Sequence, residues 1–433
     1  MVSDHRLQEK LIGNEKVSTH DTVQKSTFLS FSVFCQRQFG EWLLVGGALS
    51  CGLGICTSIV LLNIGMVGMI LGGLVCRPPI HRLAGFWLAV GFAAIIFVID
   101  VGVAHDGLKT IPGWSYSWIC LYLLPFALAQ ATARAWFIRM VLIGGFSAVA
   151  LGLMQFFIGL DDAHPPFRVH ASGEHLTRAC GWFSHHIRFG SAMCLLLLMS
   201  LVPPSVMRLP APLAWVIFCL GWVGVIISSA RGQLLAAIAG AGTYFMARGG
   251  RWIALGLGIA VSVGGIGILI LAKFTPLRVN AAVSGHDVRW ELWGLVGQVI
   301  HEHPWLGVGG QGLGPAIREL VARKAVVIQN TWVLDPGHAH NSFLSVAVSY
   351  GIPAAILYVS WFLVVMASVW RLGGAARQFG MAVGVAFVIG GLTEDLANLA
   401  TSRYALFLGL GLALALRGVP GKSKELAPCS AAV

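Results

Sequence analysis

Long apolar runs follow one another along most of this chain, separated by short polar stretches rich in arginine, proline and glycine. Most runs are about 15 to 25 residues long, close to the length at which an α-helix crosses a hydrocarbon core ~30 Å thick. The pattern predicts an all-α polytopic membrane protein with about twelve transmembrane helices. The predicted spans are 41–57, 58–76, 84–104, 115–132, 136–160, 188–203, 213–229, 233–247, 252–273, 343–370, 379–393 and 403–416.

Polar segments divide the chain into five parts. The first of them lacks the apolar core of a cleavable signal peptide, so the first span is predicted to act as an uncleaved anchor. The predicted parts are an N-terminal segment 1–40, a bundle of nine spans within 41–273 that includes an outer loop 161–187, a large outer loop 274–342, three spans within 343–416, and a tail 417–433.

The composition supports this reading. Of 433 residues, 57% are hydrophobic and 11% are charged, whereas about a quarter of the residues in a soluble domain are charged. The nine cysteines are scattered, mostly inside apolar runs, and no CxxC or Cys/His ligand spacing occurs. A disulfide framework or a structural zinc site is therefore not expected.

Charge sets the predicted orientation. Every second short loop carries arginine and no aspartate or glutamate, and basic residues in short loops mark the cytoplasmic side. Both termini are therefore predicted to be cytoplasmic, and both long loops and any site on them to be periplasmic. The predicted cytoplasmic loops contain Arg77, Arg82, Arg134, Arg139, Arg208, Arg248, Arg251, Arg371 and Arg377.

The predicted outer loops are also basic, and the formal net charge of the chain is +11. This predicts an anionic partner outside the membrane, such as a phosphorylated lipid, besides the membrane lipids themselves. Nucleic acid fits a periplasmic location poorly. The basic residues counted on this side include Arg168, Arg178, Arg188, Arg231, Arg278, Arg289, Arg318, Arg323, Lys324 and Arg403.

The densest polar stretch runs from Asp335 to Leu344, where the large outer loop re-enters the membrane, and it contains His338 and His340. A histidine at such a boundary can accept a proton near neutral pH or bind a metal. Two histidines at i and i+2 do not share a helix face, and no metal-ligand spacing is found nearby. The simpler alternative for His340 is a polar anchor at a helix start.

Two arginines have comparable positions. Arg231 lies in a very short turn between apolar spans, where a charge near the membrane is costly and marks a functional candidate; the alternative is a snorkelling side chain. Arg289 begins a helix in which Trp290, Trp293, Val296 and Ile300 recur at helical spacing, predicting an amphipathic helix along the bilayer surface. The alternative interpretation of Arg289 is an arginine at the membrane interface beside tryptophans, without a functional role.

Two further patterns favour ordinary explanations. Gly307, Gly309 and Gly312 match GxGxxG, but no βαβ unit surrounds them, so glycines that let a loop pack closely on helices explain them better than a dinucleotide site. Asp161, Asp162 and His164 could hold a divalent cation, but a solvated helix end explains them better.

Four segments in this order resemble the superfamily of O-antigen ligases and O-antigen polymerases. The resemblance covers about residues 178–355 by motif and the whole chain by hydropathy layout. Arg188 departs from the pattern, because many members carry a short polar residue there. The segments are Gly181–His186, Ser229–Gly232, Pro304–Gly309 after the helix of Arg289, and His340-Asn341 followed by nine residues and Gly351.

The resemblance implies a GT-C-like glycosyltransferase of the bacterial inner membrane, transferring polysaccharide from undecaprenyl diphosphate to lipid A-core on the periplasmic face. It implies that Arg231 and Arg289 bind the diphosphate, and that His340 deprotonates the acceptor hydroxyl with inversion at the anomeric carbon. Neither a metal nor a cofactor is expected. The predicted substrate-binding residues are Arg188, His338, Asn341 and Gly309.

Three alternatives stay open. An O-antigen polymerase or a protein-glycosylating relative would use the same donor and a different acceptor. An anion or lipid transporter is the alternative from another class, but the polar residues collect at one membrane face, without the paired broken helices typical of transporters.

Overall fold

The computed structural model describes residues 36–103, 114–158, 178–249, 288–324, 328 and 330–418, together with Ala254, Gly258, Ser262 and Gly265. Most of these residues are helical, and no β-strand occurs among them. The prediction of an all-α fold is confirmed for this part of the chain.

The helices are of very unequal length. A π-helical segment, Ile99–Val103, continues α3, and single turns of 3-10 helix lie at Ile80–Arg82, Thr331–Leu334 and Leu416–Gly418. In chain order the described α-helices are α1 (Gln36–Thr57), α2 (Ile59–Cys76), α3 (Phe86–Val98), α4 (Trp114–Ser117), α5 (Ile119–Ala127), α6 (Ala131–Ile158), α7 (His186–Ser200), α8 (Pro204–Met207), α9 (Ala211–Ile227), α10 (Arg231–Arg248), α11 (Val288–Glu302), α12 (Leu313–Lys324), α13 (Ser342–Trp370), α14 (Gly374–Thr393) and α15 (Ala400–Ala415).

Five of these helices, α1, α2, α6, α13 and α14, are long and apolar enough to cross a membrane by length and composition, and α3, α7, α9 and α15 are shorter apolar helices. Eleven predicted spans fall on described helices. Only four residues of the span 252–273 are described, so the count of twelve and the large outer loop stay predictions.

Two helices begin several residues before the spans that hydropathy predicted for them. The fifth predicted span begins at 136 and its helix at Ala131; the eleventh begins at 379 and its helix at Gly374. In both cases the first turn contains arginine or glutamine, which lowers local hydropathy without disfavouring a helix. Hydropathy therefore locates the apolar part of a helix and misses a polar first turn.

Close packing of α10 on α14 sets the position of the site. A Cβ added at Gly240 would lie only 3.0 Å from the carbonyl oxygen of Ala382, so glycine lets the two backbones approach. The same pair of helices brings Gly232, in the first turn of α10, against Thr393 and Glu394 at the end of α14. The start of one helix thus lies beside the end of the other.

Helices α11 and α12 with the turn Thr331–Leu334 form a unit with its own small core, here named the α11–α12 unit. The ends of the two helices are joined by ion pairs of Glu302 with Arg323 and Lys324. The buried residues of this core are Leu292, Leu295, Val296, Val299, Leu313, Ile317, Leu320, Val333, Ala339 and Val348.

The structure confirms the predicted helix at Arg289 and shows which of its faces packs on protein. Trp290 is 62% exposed, whereas Leu292, Leu295 and Val299 are buried with Val296. These four positions recur at i, i+3, i+4 and i+7, and they pack on α12. Both faces of α11 carry apolar residues: one packs on α12, while Trp290 on the other stays exposed. The predicted contact of the tryptophan face with the bilayer surface stays a prediction.

The segment Pro304–Gly312 is joined to the middle of α13 by backbone hydrogen bonds. Val308 N donates to Val348 O (3.0 Å), Gly309 N to Ser349 O (2.9 Å) and Ile352 N to Pro304 O (2.8 Å). Gly351, with φ of 82°, breaks the helical backbone here, and a Cβ on it would collide with the carbonyl of Trp305. A Cβ on Gly307 would likewise collide with the backbone of Ser349. Gly307 thus serves close packing, as the sequence indicated.

We expect Gly351→Ala to lower the melting temperature of the purified protein, because alanine is strained at positive φ by about 1–3 kcal/mol and its methyl group meets the Trp305 backbone. Thermal unfolding in detergent measures the effect. Gly242→Ala in α10 is the matched control, since nothing lies within 4 Å of that position. Equal melting temperatures for the two variants would contradict this account of Gly351.

Candidate active site

The turn before α13 holds His340 in a fixed position. Asn341 caps the helix, with Oδ1 accepting from Phe343 N (3.0 Å) and Leu344 N (3.1 Å), while its Nδ2 donates to Leu392 O (3.1 Å). His340 itself has a φ of 48°, in the left-handed region. The cap satisfies the first helix amides and ties the turn to the end of α14.

A buried carboxylate, Glu394, joins His340 to Arg289. Glu394 follows α14 in an extended conformation, and its side chain is 8% exposed. Its Oε1 accepts from Arg289 Nη2 at 2.6 Å, and its Oε2 lies 3.2 Å from His340 Nδ1. One carboxylate therefore holds a guanidinium and an imidazole side by side.

The surroundings keep Glu394 ionised. Burial by itself would raise the pKa of this carboxyl, but the hydrogen bond to His340 and the positive charge of Arg289 lower the pKa below its ordinary value. An ionised Glu394 can accept a hydrogen bond from Nδ1–H of His340, and this favours the tautomer that carries its proton on Nδ1. This assigns the lone pair of His340 to Nε2, the nitrogen that could accept another proton.

His338 lies against His340, with ring centroids 4.2 Å apart, and its Nδ1 is 3.2 Å from Pro336 O. Burial and the neighbouring His340 lower the pKa of His338, so that ring is uncharged at neutral pH. His338 therefore adds bulk and a hydrogen-bonding edge beside His340 without adding a positive charge.

Helix α11 brings Arg289 to this carboxylate. The indole Nε1 of Trp293, one turn after Arg289, donates to Ala339 O at 2.9 Å. Ala339 also belongs to the small core of the α11–α12 unit. The helix is thus tied to the turn of His340 by a direct bond as well as by shared apolar packing.

Arg231 starts the helix that runs beside Glu394. It follows Ser229, which has a φ of 53°, and begins α10. A Cβ at Gly232 would meet Thr393 Oγ1 and lie 3.3 Å from Glu394 Cγ, so the first turn of α10 contacts the carboxylate-bearing segment. The three predicted catalytic residues therefore come from elements that meet at Glu394.

Arg188 lies in a neighbouring basic cluster at the start of α7. Its Nη1 donates to Ser184 Oγ (3.2 Å), and nearby Arg178 Nη1 is 3.3 Å from His186 Nε2. Ala179 N donates to Ile227 O (3.1 Å), which brings this segment to the turn before Arg231. A Cβ at Gly190, two residues after Arg188, would lie 3.0 Å from Ser228 Oγ and from Gln233 Cγ, so this end of α7 is close to the chain around Arg231.

One of the predicted outer arginines has a different environment from the one expected. Arg403, counted with the outer basic residues, is buried: its Nε donates to Ser117 Oγ (2.8 Å) and its Nη1 to Ala397 O (2.7 Å), so it braces helices and does not face an external anion. Asn341 and Gly309 have the packing roles described above. Their part in substrate binding, like that of Arg188 and His338, stays a prediction.

Glu394 is the site residue that sequence reasoning missed. No motif in the sequence contains it. The available signal was its place directly after an apolar span, at the membrane end predicted to carry the histidine turn. A carboxylate there calls for basic partners, and the two nearest in space are 105 and 54 positions away in the chain.

Among the described residues, no three histidine, cysteine or acidic side chains converge as ligands for a metal ion. The alternative cation site at Asp161, Asp162 and His164 lies outside those residues. Independence from a metal stays a prediction.

These features define an integral membrane protein whose cluster of arginine, carboxylate and histidine suits anion binding combined with proton transfer. A family model described as O-antigen ligase matches residues 216–359 and thus contains Arg231, Arg289, His340 and Gly351. The match covers a third of the chain and confirms the resemblance to the O-antigen ligase superfamily. It supports glycosyltransferase activity of the ligase or polymerase type. No curated protein matches the chain.

Proposed function

We propose that this protein transfers polysaccharide from undecaprenyl diphosphate to lipid A-core on the periplasmic face of the bacterial inner membrane. The observation that supports it best is the pairing of Arg289 and His340 on the single carboxylate of Glu394. Transfer from a diphosphate to a hydroxyl needs an anion-binding group and a proton acceptor within one site, and this pairing supplies both.

The arginines would bind the leaving group. A diphosphate gains negative charge as its bond to the sugar breaks, and a guanidinium remains protonated while offering five donors. The contact with Glu394 engages Arg289 at Nη2. Arg231, at the start of the adjoining helix, would bind the same diphosphate from another side, so the developing charge is stabilised where it forms.

His340 would act as the general base. The acceptor oxygen attacks the anomeric carbon, its proton passes to Nε2 of His340, and the bond between that carbon and the diphosphate oxygen breaks with inversion. Glu394 would hold the tautomer with the proton on Nδ1 and stabilise the imidazolium that forms, the task of the carboxylate in a Ser-His-Asp triad. Neither a metal nor a cofactor enters these steps.

The lipopolysaccharide gel profile of a deletion strain tests the function. We expect the ladder of long chains to disappear while undecaprenyl-linked polymer accumulates, and wild-type protein to restore the ladder. A single-repeat band would indicate a polymerase instead. An unchanged ladder with loss of protein glycosylation would indicate the protein-glycosylating relative. An unchanged ladder with normal protein glycosylation would favour the transporter.

The orientation is tested separately. We expect a cysteine placed at Arg208 or Arg248, in a cysteine-free background, to resist a membrane-impermeant maleimide in intact spheroplasts, because basic short loops stay on the cytoplasmic side. Asp335→Cys is the matched control, since that side chain is 80% exposed and is predicted to lie outside. Labelling of the Arg208 position from outside would overturn both the topology and the periplasmic site.

A further inference from the structure

An exposed tryptophan lies beside His340. The rings of Trp332 and His340 have centroids 5.1 Å apart and are tilted by 52°, while Trp332 remains 42% exposed. A large indole ring beside a candidate base would ordinarily be covered by its neighbours. Here a considerable part of its surface is open next to the group that would receive a proton.

Local structure turns this ring outward. Asn330 caps the 3-10 turn, with Oδ1 accepting from Trp332 N at 3.0 Å. The next residue, Val333, is completely buried in the small core of the α11–α12 unit. Because Val333 points into that core, the turn directs Trp332 away from it and towards His340.

The side chains follow one another in a row. Arg289 binds one oxygen of Glu394, His340 approaches the other, and Trp332 contacts His340. A diphosphate bound at the arginine end leaves the tryptophan end for the second reactant. That reactant carries the hydroxyl that must reach the imidazole.

The surroundings of Trp332 are aqueous in character. Asp335, three residues later, has a side chain that is 80% exposed and paired with the half-exposed Arg318. Burying such an exposed carboxylate in lipid would be costly. The ring therefore suits a hydrated ligand with one apolar face, and a pyranose presents its C–H bonds in that way.

We propose that Trp332 is the binding platform for the acceptor sugar, stacking on a pyranose ring so that one hydroxyl of the sugar meets Nε2 of His340. This inference rests on the proposed function, because it assumes that His340 deprotonates an acceptor hydroxyl. The ligand class is a core oligosaccharide; the donor diphosphate binds elsewhere in the row.

The test compares ring-retaining and ring-removing variants of the full chain in nanodiscs, with lipid A-core as acceptor. Trp332→Ala and Trp332→Leu are expected to raise the acceptor KM about 3- to 10-fold, the range of aromatic stacking energies, with the donor KM unchanged. Trp332→Phe retains a flat ring and stays near wild type. Trp305→Ala is the matched control, since that tryptophan is 74% exposed on the neighbouring segment.

A binding measurement separates this inference from the proposed function. Saturation-transfer NMR with the core oligosaccharide freed of lipid A reports contact whether or not transfer occurs. Its signals should weaken in Trp332→Ala and Trp332→Leu and persist in Trp332→Phe and Trp305→Ala. If the wild-type protein showed these signals but transferred no polysaccharide, the proposed function would be wrong while the acceptor-binding role of Trp332 would stand.

Two results would contradict the proposal that Trp332 binds the acceptor sugar. One is a rise in the donor KM rather than the acceptor KM in the Trp332 variants. The other is equal behaviour of Trp332→Ala and Trp305→Ala with undiminished oligosaccharide signals, which would identify Trp332 as a contact with the bilayer. Trp332→Leu keeps the comparison valid if the alanine variant folds poorly, because it retains apolar bulk.

Discussion

His340→Gln is expected to lower the rate of polysaccharide transfer by about 10²–10⁴-fold, the usual contribution of a positioned general base, while the affinity for the lipid-linked donor stays nearly normal. Glutamine can still donate a hydrogen bond to Glu394, but its amide cannot take the proton of the acceptor hydroxyl. Steady-state transfer and separate donor binding, measured on purified protein, distinguish the two effects.

The pH profile identifies the proton acceptor. Wild-type activity should fall on the acid side, because protonated His340 cannot accept another proton, and this limb should be missing from the residual rate of His340→Gln. Glu394 does not supply the limb: its pKa is held below the ordinary value, so it loses its charge only at pH values below those at which a free glutamate does.

Backbone strain requires its own control. His340 has a φ of 48°, a conformation that asparagine tolerates better than most residues. His340→Asn should therefore fold like the wild type and transfer as poorly as His340→Gln. A well-folded variant of either kind with near wild-type transfer would reduce His340 to an anchor for α13.

Loss of an arginine is expected to cost about 10²–10³-fold in turnover, the typical effect of removing one donor that stabilises developing negative charge. Arg289→Ala and Arg231→Ala should also weaken donor binding. Arg231→Lys and Arg289→Lys should remain poor, because an ammonium lacks the planar fork of a guanidinium. Donor affinity and single-turnover rates measure the two components.

The contact with Glu394 separates the two arginines. Removing Arg289 leaves the carboxylate paired mainly with His340, and the uncompensated negative charge favours the protonated imidazole. The acid limb of activity should therefore move to higher pH in Arg289→Ala. Arg318→Ala is the control, since that exposed arginine pairs with the exposed carboxylate of Asp335 and not with Glu394. Normal donor binding in Arg289→Ala would contradict the assignment.

Hydropathy predicted the helices because each apolar run reports its own burial in lipid or protein. It could not predict that Leu292, Leu295 and Val299 are the buried face of α11, because that depends on α12. A local pattern shows that a helix has an apolar side; it does not choose between two such sides.

The sequence predicted some residues of the candidate site but not the contacts between them. Arg231, Arg289 and His340 stood out as charged or titratable residues at helix ends on one predicted side. Glu394, which joins Arg289 to His340, did not stand out, because it lies 105 positions from Arg289 in the chain. The roles of Asn341 and Gly351 were equally hidden, since a cap and a close backbone approach are visible only once the partner elements are in place.

The joint between the segment Pro304–Gly312 and α13 has a consequence for which substitutions the protein can accept. It is made of backbone hydrogen bonds, so its strength does not depend on the identity of the side chains that flank it. The side chains of Trp305 and Leu306 are exposed and take no part in these bonds. At Gly307 and Gly351 any added carbon enters the joint itself, so a random library of this region should accumulate changes at the first pair and almost none at the second.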